Sequence, residues 1–192
     1  KEGESSVSIY YKDIEVGEHL ITFTSGDLIP VNQTVSISWG TLTKLGLLID
    51  DNTFIAGSSS NVIKAASLNA FNVNIPCPQN INFNVKTNTL NGKFDNILSG
   101  NFEGSEYNAS ISEGEFYNEF YYRDINSGTA ILNISSESYA KGELTLNIEA
   151  SELNKISVIS QPQTLYAGEI SSPVVIQAQD RYGNVVVLEE DL

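Results

Sequence analysis

A chain of 192 residues with 41% apolar content can bury a core, as one domain or two. Its 24 Asp and Glu against 10 Lys and Arg leave a net charge of −14, which opposes a nucleic-acid backbone and an anionic membrane surface. A lone Cys77 excludes an intramolecular disulfide, a lone His19 excludes a multi-histidine metal centre, and no apolar run reaches the roughly eighteen residues that span a bilayer.

In chain order, the first element is Ile9–Gly17, IYYKDIEVG, which feeds the alternating run HLITFT. LTKLGLLI (Leu42–Ile49), TFIAG ending at Gly57, and VIKAASLN follow, with short Gly, Asn and Ser clusters between them. INFNVKTN alternates through Ile81, Phe83 and Val85, the two-residue period of a half-buried strand. Gly-rich hairpins are expected around Gly92–Gly104, followed by NEFYYRD. GTAILNIS places Ala130, Leu132 and Ile134 on one face, and GELTLNIEA does the same with Leu144, Leu146 and Ile148. The chain closes on LNKISVIS, TLYAG and the β-branched run SPVVIQAQD, which the turn signal RYGN ends. No stretch carries helical apolar spacing, so the pattern predicts an all-β sandwich.

Several of these elements occur twice. Tyr122 follows Tyr11 by 122 − 11 = 111 residues. Gly128 follows Gly17, Leu153 follows Leu42, Gly168 follows Gly57 and Tyr182 follows Phe71 at the same offset. A unit of ordinary domain size therefore repeats. The expected organisation is residues 1–41 as the closing strands of one unit, 42–150 as a complete unit of about seven strands, and 151–192 as the opening strands of a third. The lack of any Met in 192 residues is what a segment of a larger protein, or a processed mature chain, would show.

The turn residues have structural reasons to be there. Asp13 and Asp124 suit turn starts, where a short carboxylate accepts from backbone N–H groups two or three residues on. Gly17 and Gly128 suit a backbone with positive φ. In each pair Tyr10/Tyr11 and Tyr121/Tyr122, one ring must face inward and one outward.

The motifs in this order resemble a known family. ISVISQPQTLYAGEISSPVVIQAQDRYGNVVV (Ile156–Val187) is similar to the opening of bacterial and archaeal immunoglobulin-like repeats of the invasin and intimin type, found in adhesins and surface-layer proteins. Gln161, Pro162, Ala167 and Gly168 match its early steps, and Asp180, Gly183 and Asn184 match its D-x-x-G-N turn. FYYRDINSGTAILNIS and IYYKDIEVGEHLITFT resemble the later aromatic-Asp-turn-Gly segment. The central unit departs from the pattern at LNAFNV, and Asn88–Asn118 carries no family motif.

The resemblance implies tandem immunoglobulin-like sandwiches in a secreted or surface-anchored prokaryotic protein, a stalk or surface layer without catalysis. Neighbouring copies of the protein, or adjacent repeats, are the expected partners. A second class is a carbohydrate- or receptor-binding module, with Tyr107, Phe116 and Tyr117 as the candidate aromatic surface and surface glycans as ligands.

Nothing points to an enzyme. His19 stands where the later copy has Ala130, and Cys77 lies between two prolines. Neither a G-x-S-x-G context nor a phosphate-binding loop occurs. The acidic pairs Asp50–Asp51 and Glu189–Asp191 could supply carboxylates, but no pattern frames them as a site. No organic cofactor is implied. Calcium is the one ion to consider, because carboxylates and carbonyls gather at the joints of stacked sandwiches; Asp124, Asp180 and Asn184 are its candidate ligands.

Overall fold

In a computed structural model, residues 6–188 form thirteen strands and no helix. Residues 1–5 and 189–192 are outside the described part, and the Glu189–Asp191 acidic pair falls there. No helix among the described residues is long and apolar enough to cross a membrane.

The centre is a sandwich of two sheets. One has the order β4 (Thr53–Ile55), β11 (Gly142–Glu149), β10 (Gly128–Ser135), β6 (Ile81–Thr87), β8 (Glu106–Ile111). The other has the order β3 (Leu42–Leu48), β5 (Ile63–Asn69), β9 (Tyr117–Arg123), β7 (Lys93–Asp95). This is an immunoglobulin-like all-β arrangement, antiparallel apart from the β4–β11 pair. Nine strands stand here in place of the expected seven or so: β7 falls in the stretch expected as Gly-rich hairpins, and the edge strands β4 and β8 are additional to the expected runs.

Alternation decides which side chains enter the core. Ala130, Leu132 and Ile134 of β10 are fully buried, as are Val85 of β6 and Leu146 of β11. They meet Leu45, Ile63 and Phe120 of the facing sheet. Phe94 of β7 fills the remaining space, with ring centroids 5.1 Å from Tyr122 and 6.0 Å from Phe120. Tyr122 turns inward and Tyr121 is half-buried, as strand alternation requires. The Tyr122 hydroxyl takes part in hydrogen bonds with Thr87, Thr89 and Asp124, and burial pushes its pKa up to about 12.

Two small antiparallel sheets flank the sandwich: β1 (Gly17–Phe23) with β2 (Val31–Ile37), and β12 (Lys155–Val158) with β13 (Ile176–Gln179). Each reproduces a central pair at the 111-residue offset. Gly17 pairs with Ile37 as Gly128 pairs with Ile148, and His19 with Val35 as Ala130 with Leu146. Lys155 pairs with Gln179 as Lys44 pairs with Leu68, and Val158 with Ile176 as Leu47 with Ala65. What differs is cover. Phe23, Ile156, Val158 and Ile176 are all exposed, whereas the central equivalents Ile134, Leu45, Leu47 and Ala65 are buried. Tyr10 and Tyr11 are both exposed for the same reason.

Leu132 lies at the centre of the packed face with no exposed surface. Leu132→Ala is expected to cost about 2–5 kcal/mol, read as a lower midpoint in chemical denaturation with unchanged slope.

Candidate functional site

Two of the residues singled out by sequence, Asp180 and Asn184, come together where the β12–β13 sheet meets the central sandwich. The turn after β13 is headed by Asp180, which is fully buried. Its Oδ1 accepts the backbone N–H groups of Tyr182 and Asn184, each at 2.9 Å. Its Oδ2 accepts the Ser151 N–H at 3.0 Å and the Asn184 side-chain amide at 2.8 Å. One carboxylate therefore shapes its own turn and also holds the linker that enters the unit. Burial by itself would raise this carboxyl, yet the bonds from Asn184, Ser151 and Tyr182 outweigh it and hold the pKa below the ordinary carboxylate value.

Asn184 reaches across. Its side-chain amide donates to the Ile125 carbonyl at 2.8 Å, and its Oδ1 accepts the Ser127 N–H at 2.9 Å. Both partners belong to the turn between β9 and β10. Tyr182, from the same turn as Asn184, packs against the central core beside Gly57. A Cβ on Gly57 would lie 2.0 Å from the Tyr182 hydroxyl oxygen, and Gly57 has a φ of +82°, so both space and backbone require glycine there. The Gly57 N–H donates to the Asp124 carbonyl at 2.7 Å, which ties the two walls of the seat together.

The same turn stands at the other end of the sandwich with an amide in place of the carboxylate. Asn69 Oδ1 accepts from Phe71 N–H at 2.9 Å and from Val73 N–H at 3.0 Å. Its amide then donates to the Trp39 carbonyl at 2.9 Å, where Asp180 accepts from Ser151 N–H. An acceptor meets a linker N–H and a donor meets a linker C=O; the capture is the same. Asn72 takes a φ of 64° where Gly183 takes 93°. Val73 stands at the Asn184 position and has no group to bond across the joint.

Asp124 lies in a neighbouring turn, and its carboxylate points into the sandwich. Oδ2 accepts from Thr89 Oγ1 at 2.6 Å and from the Tyr122 hydroxyl at 3.0 Å, while Oδ1 accepts Asn126 N–H. Asp13 repeats this arrangement: Tyr11 and the N–H groups of Ile14 and Glu15 donate to it. Of the calcium candidates, Asp180 and Asn184 are brought together, and Asp124 holds a separate set of bonds. A cation would have to displace these donors. Among the described residues no three His, Cys, Asp or Glu side chains cluster as a metal site.

The other candidates are dispersed. Tyr107 stacks on Phe120 at 4.7 Å, Phe116 meets Trp39 edge-on at 5.3 Å, and Tyr117 carries the Lys64 ammonium over its ring. Three rings with three separate partners make no flat row. His19 Nε2 lies 2.9 Å from the Glu15 carbonyl. Burial pushes the Cys77 thiol pKa up, and its S–H donates to the Gln79 carbonyl. Asp51 caps the start of β4 through Thr53 N–H, and Asp50 is exposed. Sequence reasoning did not pair Gly57 with Tyr182, or Asn184 with Ile125 and Ser127. The repeat marked Gly57 and Tyr182 as special positions, but not as a contact.

No protein-family model matches the sequence, and no curated protein does. Several solved structures share all-β architecture with it at low identity. One is a β-glucuronidase of glycoside hydrolase family 2, at 16% identity and a TM-score of 0.47 over 83% of this chain and 17% of that one. Domains 4 and 5 of the S-layer protein SbsC match at 12% identity and a TM-score of 0.35, over 69% of this chain and 58% of that one. InvD of Yersinia pseudotuberculosis matches at 15% and 0.35, over 81% and 47%. A glycosyl hydrolase family 2 member from Bacteroides cellulosilyticus matches at 14% and 0.45, and this chain spans 16% of its length.

Asn69 indicates that an amide oxygen can shape this turn, although an amide NH2 cannot accept the Ser151 N–H as the Asp180 Oδ2 does. Asp180→Asn is therefore expected to retain the turn, while Asp180→Ala leaves buried N–H groups unpaired and costs about 1–3 kcal/mol. The sign with pH follows from a lowered folded-state pKa. The contribution is complete above the unfolded value near 3.9 and is lost as pH falls through the folded value. Acid unfolding of the joint, followed by the Ser151 amide resonance, should show that loss as a step with pH in the parent, whereas Asp180→Asn, whose NH2 would face the Ser151 N–H, should lack that bond at every pH and show no step. Millimolar calcium is expected to leave the melting curve in place; a rise would show these oxygens released to the ion.

Proposed function

We propose that this chain is a non-catalytic segment of a tandem array of immunoglobulin-like units, in a secreted or cell-surface prokaryotic protein that spaces or tiles. The carrying observation is the recurrence, 111 residues apart, of strand register, turn hydrogen bonds and linker capture. Such a correspondence is expected when each stretch belongs to a copy of one unit, with the boundaries 1–41, 42–150 and 151–192.

The work of such a segment is mechanical. Backbone ladders and a packed core resist extension within a unit, and the joint sets the direction from one unit to the next. Asn184, Tyr182 and Asp180 together restrain that direction at one joint, through bonds to Ile125, Ser127 and Ser151. The resemblance to invasin- and intimin-type repeats supports a place on the cell surface or beyond it. A glycan partner would be sought at the polar groove of about 670 Å³ lined by Asn80, Asn82, Asn84, Asn108, Ser135 and Lys141.

Residues 42–150 hold a complete core. Expressed alone, they are expected to give β-type circular dichroism and one cooperative unfolding transition. A disordered or helical product would end the tandem reading.

A further inference from the structure

The triplet Asn-x-Ser or Asn-x-Thr, with x other than proline, occurs three times: Asn32-Gln33-Thr34, Asn108-Ala109-Ser110 and Asn133-Ile134-Ser135. It is the acceptor pattern for N-linked glycosylation of exported chains, and a sequence rich in Asn, Ser and Thr also produces it by accident. Their places in the fold separate these three from accident.

Asn133 is exposed on β10 between the buried Leu132 and Ile134. Asn108 is exposed on β8 between Tyr107 and Ala109, which pack against the core. Both stand on the outer face of one sheet, and the hydroxyls of Ser135 and Ser110, two residues on, share that side. Asn32 is on β2, and its equivalent at the 111-residue offset is Glu143, which is exposed in the complete unit. Its outward direction therefore does not depend on what covers the β1–β2 sheet. A sugar on an inward side chain would have to be buried with its hydroxyls unpaired, at a cost no strand could offset. In the facing sheet, β3, β5, β7 and β9 contain no such triplet.

Two of the three share one place in the repeating unit. Asn32 pairs across its ladder with Thr22, and Asn133 pairs with Glu143. Thr22 is the equivalent of Asn133, and Asn32 that of Glu143. The acceptor thus sits on the same cross-strand pair in both units, but on opposite strands of it. Copying of the repeat does not account for this, because neither asparagine is aligned with the other. What recurs is an acceptor at one outward spot.

We propose that Asn32, Asn108 and Asn133 carry N-linked glycans, which coat the outer face of one sheet of the unit and leave the other sheet clear. The proposal rests on the cell-surface reading, since the modification acts on exported chains. In the transfer, the Asn carboxamide nitrogen attacks the anomeric carbon of a lipid-phosphate-linked oligosaccharide. The C–N bond forms as the C–O bond to phosphate breaks. The lipid phosphate leaves with the electron pair, and one amide proton passes to a base of the transferase. Asn108 Oδ1 accepts the Asn84 amide at 2.8 Å, a bond that uses its oxygen and leaves its nitrogen for the sugar. Asn108 and Ser135 both line the polar groove of about 670 Å³, so sugars attached at Asn108 would lie along Asn82 and Asn84 there.

The test is glycopeptide mapping by electron-transfer mass spectrometry on the protein purified from the cells that produce it. Peptides holding Asn32, Asn108 and Asn133 are expected to carry sugar mass increments. Asn147, exposed on the same sheet but outside any triplet, should be bare. Asn133→Gln and Ser135→Ala, made in the same cells, should each lose the whole increment at residue 133, and Ser135→Thr should keep it. A bare asparagine at any of the three, or an increment at residue 133 that survives Ser135→Ala, would overturn the proposal. The folding of residues 42–150 is read without sugars, so either result would leave the tandem reading standing.

Discussion

A β-strand pair with one apolar face must place that face against a second sheet, and this constraint organises the whole chain. In the centre it is met. β10 and β11 lay Ala130, Leu132, Ile134 and Leu146 against Leu45, Ile63 and Phe120, and Phe94 and Tyr122 fill the space between. At the two ends the same strand pairs form with the same register, but their faces are open. Local pairing is thus independent of cover, whereas burial is not. The difference between Tyr11, 43% exposed, and Tyr122, fully buried, is a difference of surroundings.

Between the sheets, polar side chains do what apolar ones cannot. Asp180 and Asn69 sit buried at the heads of equivalent turns, and each satisfies two backbone donors locally and one linker group beyond. A buried carboxylate without those donors would be costly; with them it selects one path for the incoming chain. The two joints are not equal. Asn184 adds two bonds across one of them, and Val73 adds apolar surface to the other. The first has side-chain bonds across it from Asn184, and the second, among the described residues, keeps only the Asn69–Trp39 linker bond beside its apolar contact.

The side chains that residue type nominates for a site all have protein partners in the fold. Asp124 and Asp180 are oxygen-rich, as calcium would prefer, but backbone and side-chain donors occupy those oxygens. Tyr107 stacks into the core edge and Phe116 meets Trp39, so aromatic content near residues 107–117 does not assemble a platform.

How much was legible follows from the range of each interaction. Alternation in INFNVKTN and GTAILNIS identifies the buried faces of β6 and β10, because a strand's side chains alternate whatever lies beyond it. The 111-residue spacing identifies equivalent positions, and Asp and Asn at turn heads announce their local bonds. β7 falls within the Gly-rich hairpins expected around Gly92–Gly104, while the three-residue edge strand β4 carries too little periodicity to be read as a strand. Sequence alone therefore determined strand class, repeat length and turn chemistry, all of which depend on residues near one another in the chain. Tertiary structure alone decided that Tyr182 sits on Gly57 and that Asn184 bonds Ile125 and Ser127. Those partners lie far apart in sequence, and only the folded sandwich brings their turns to the same end.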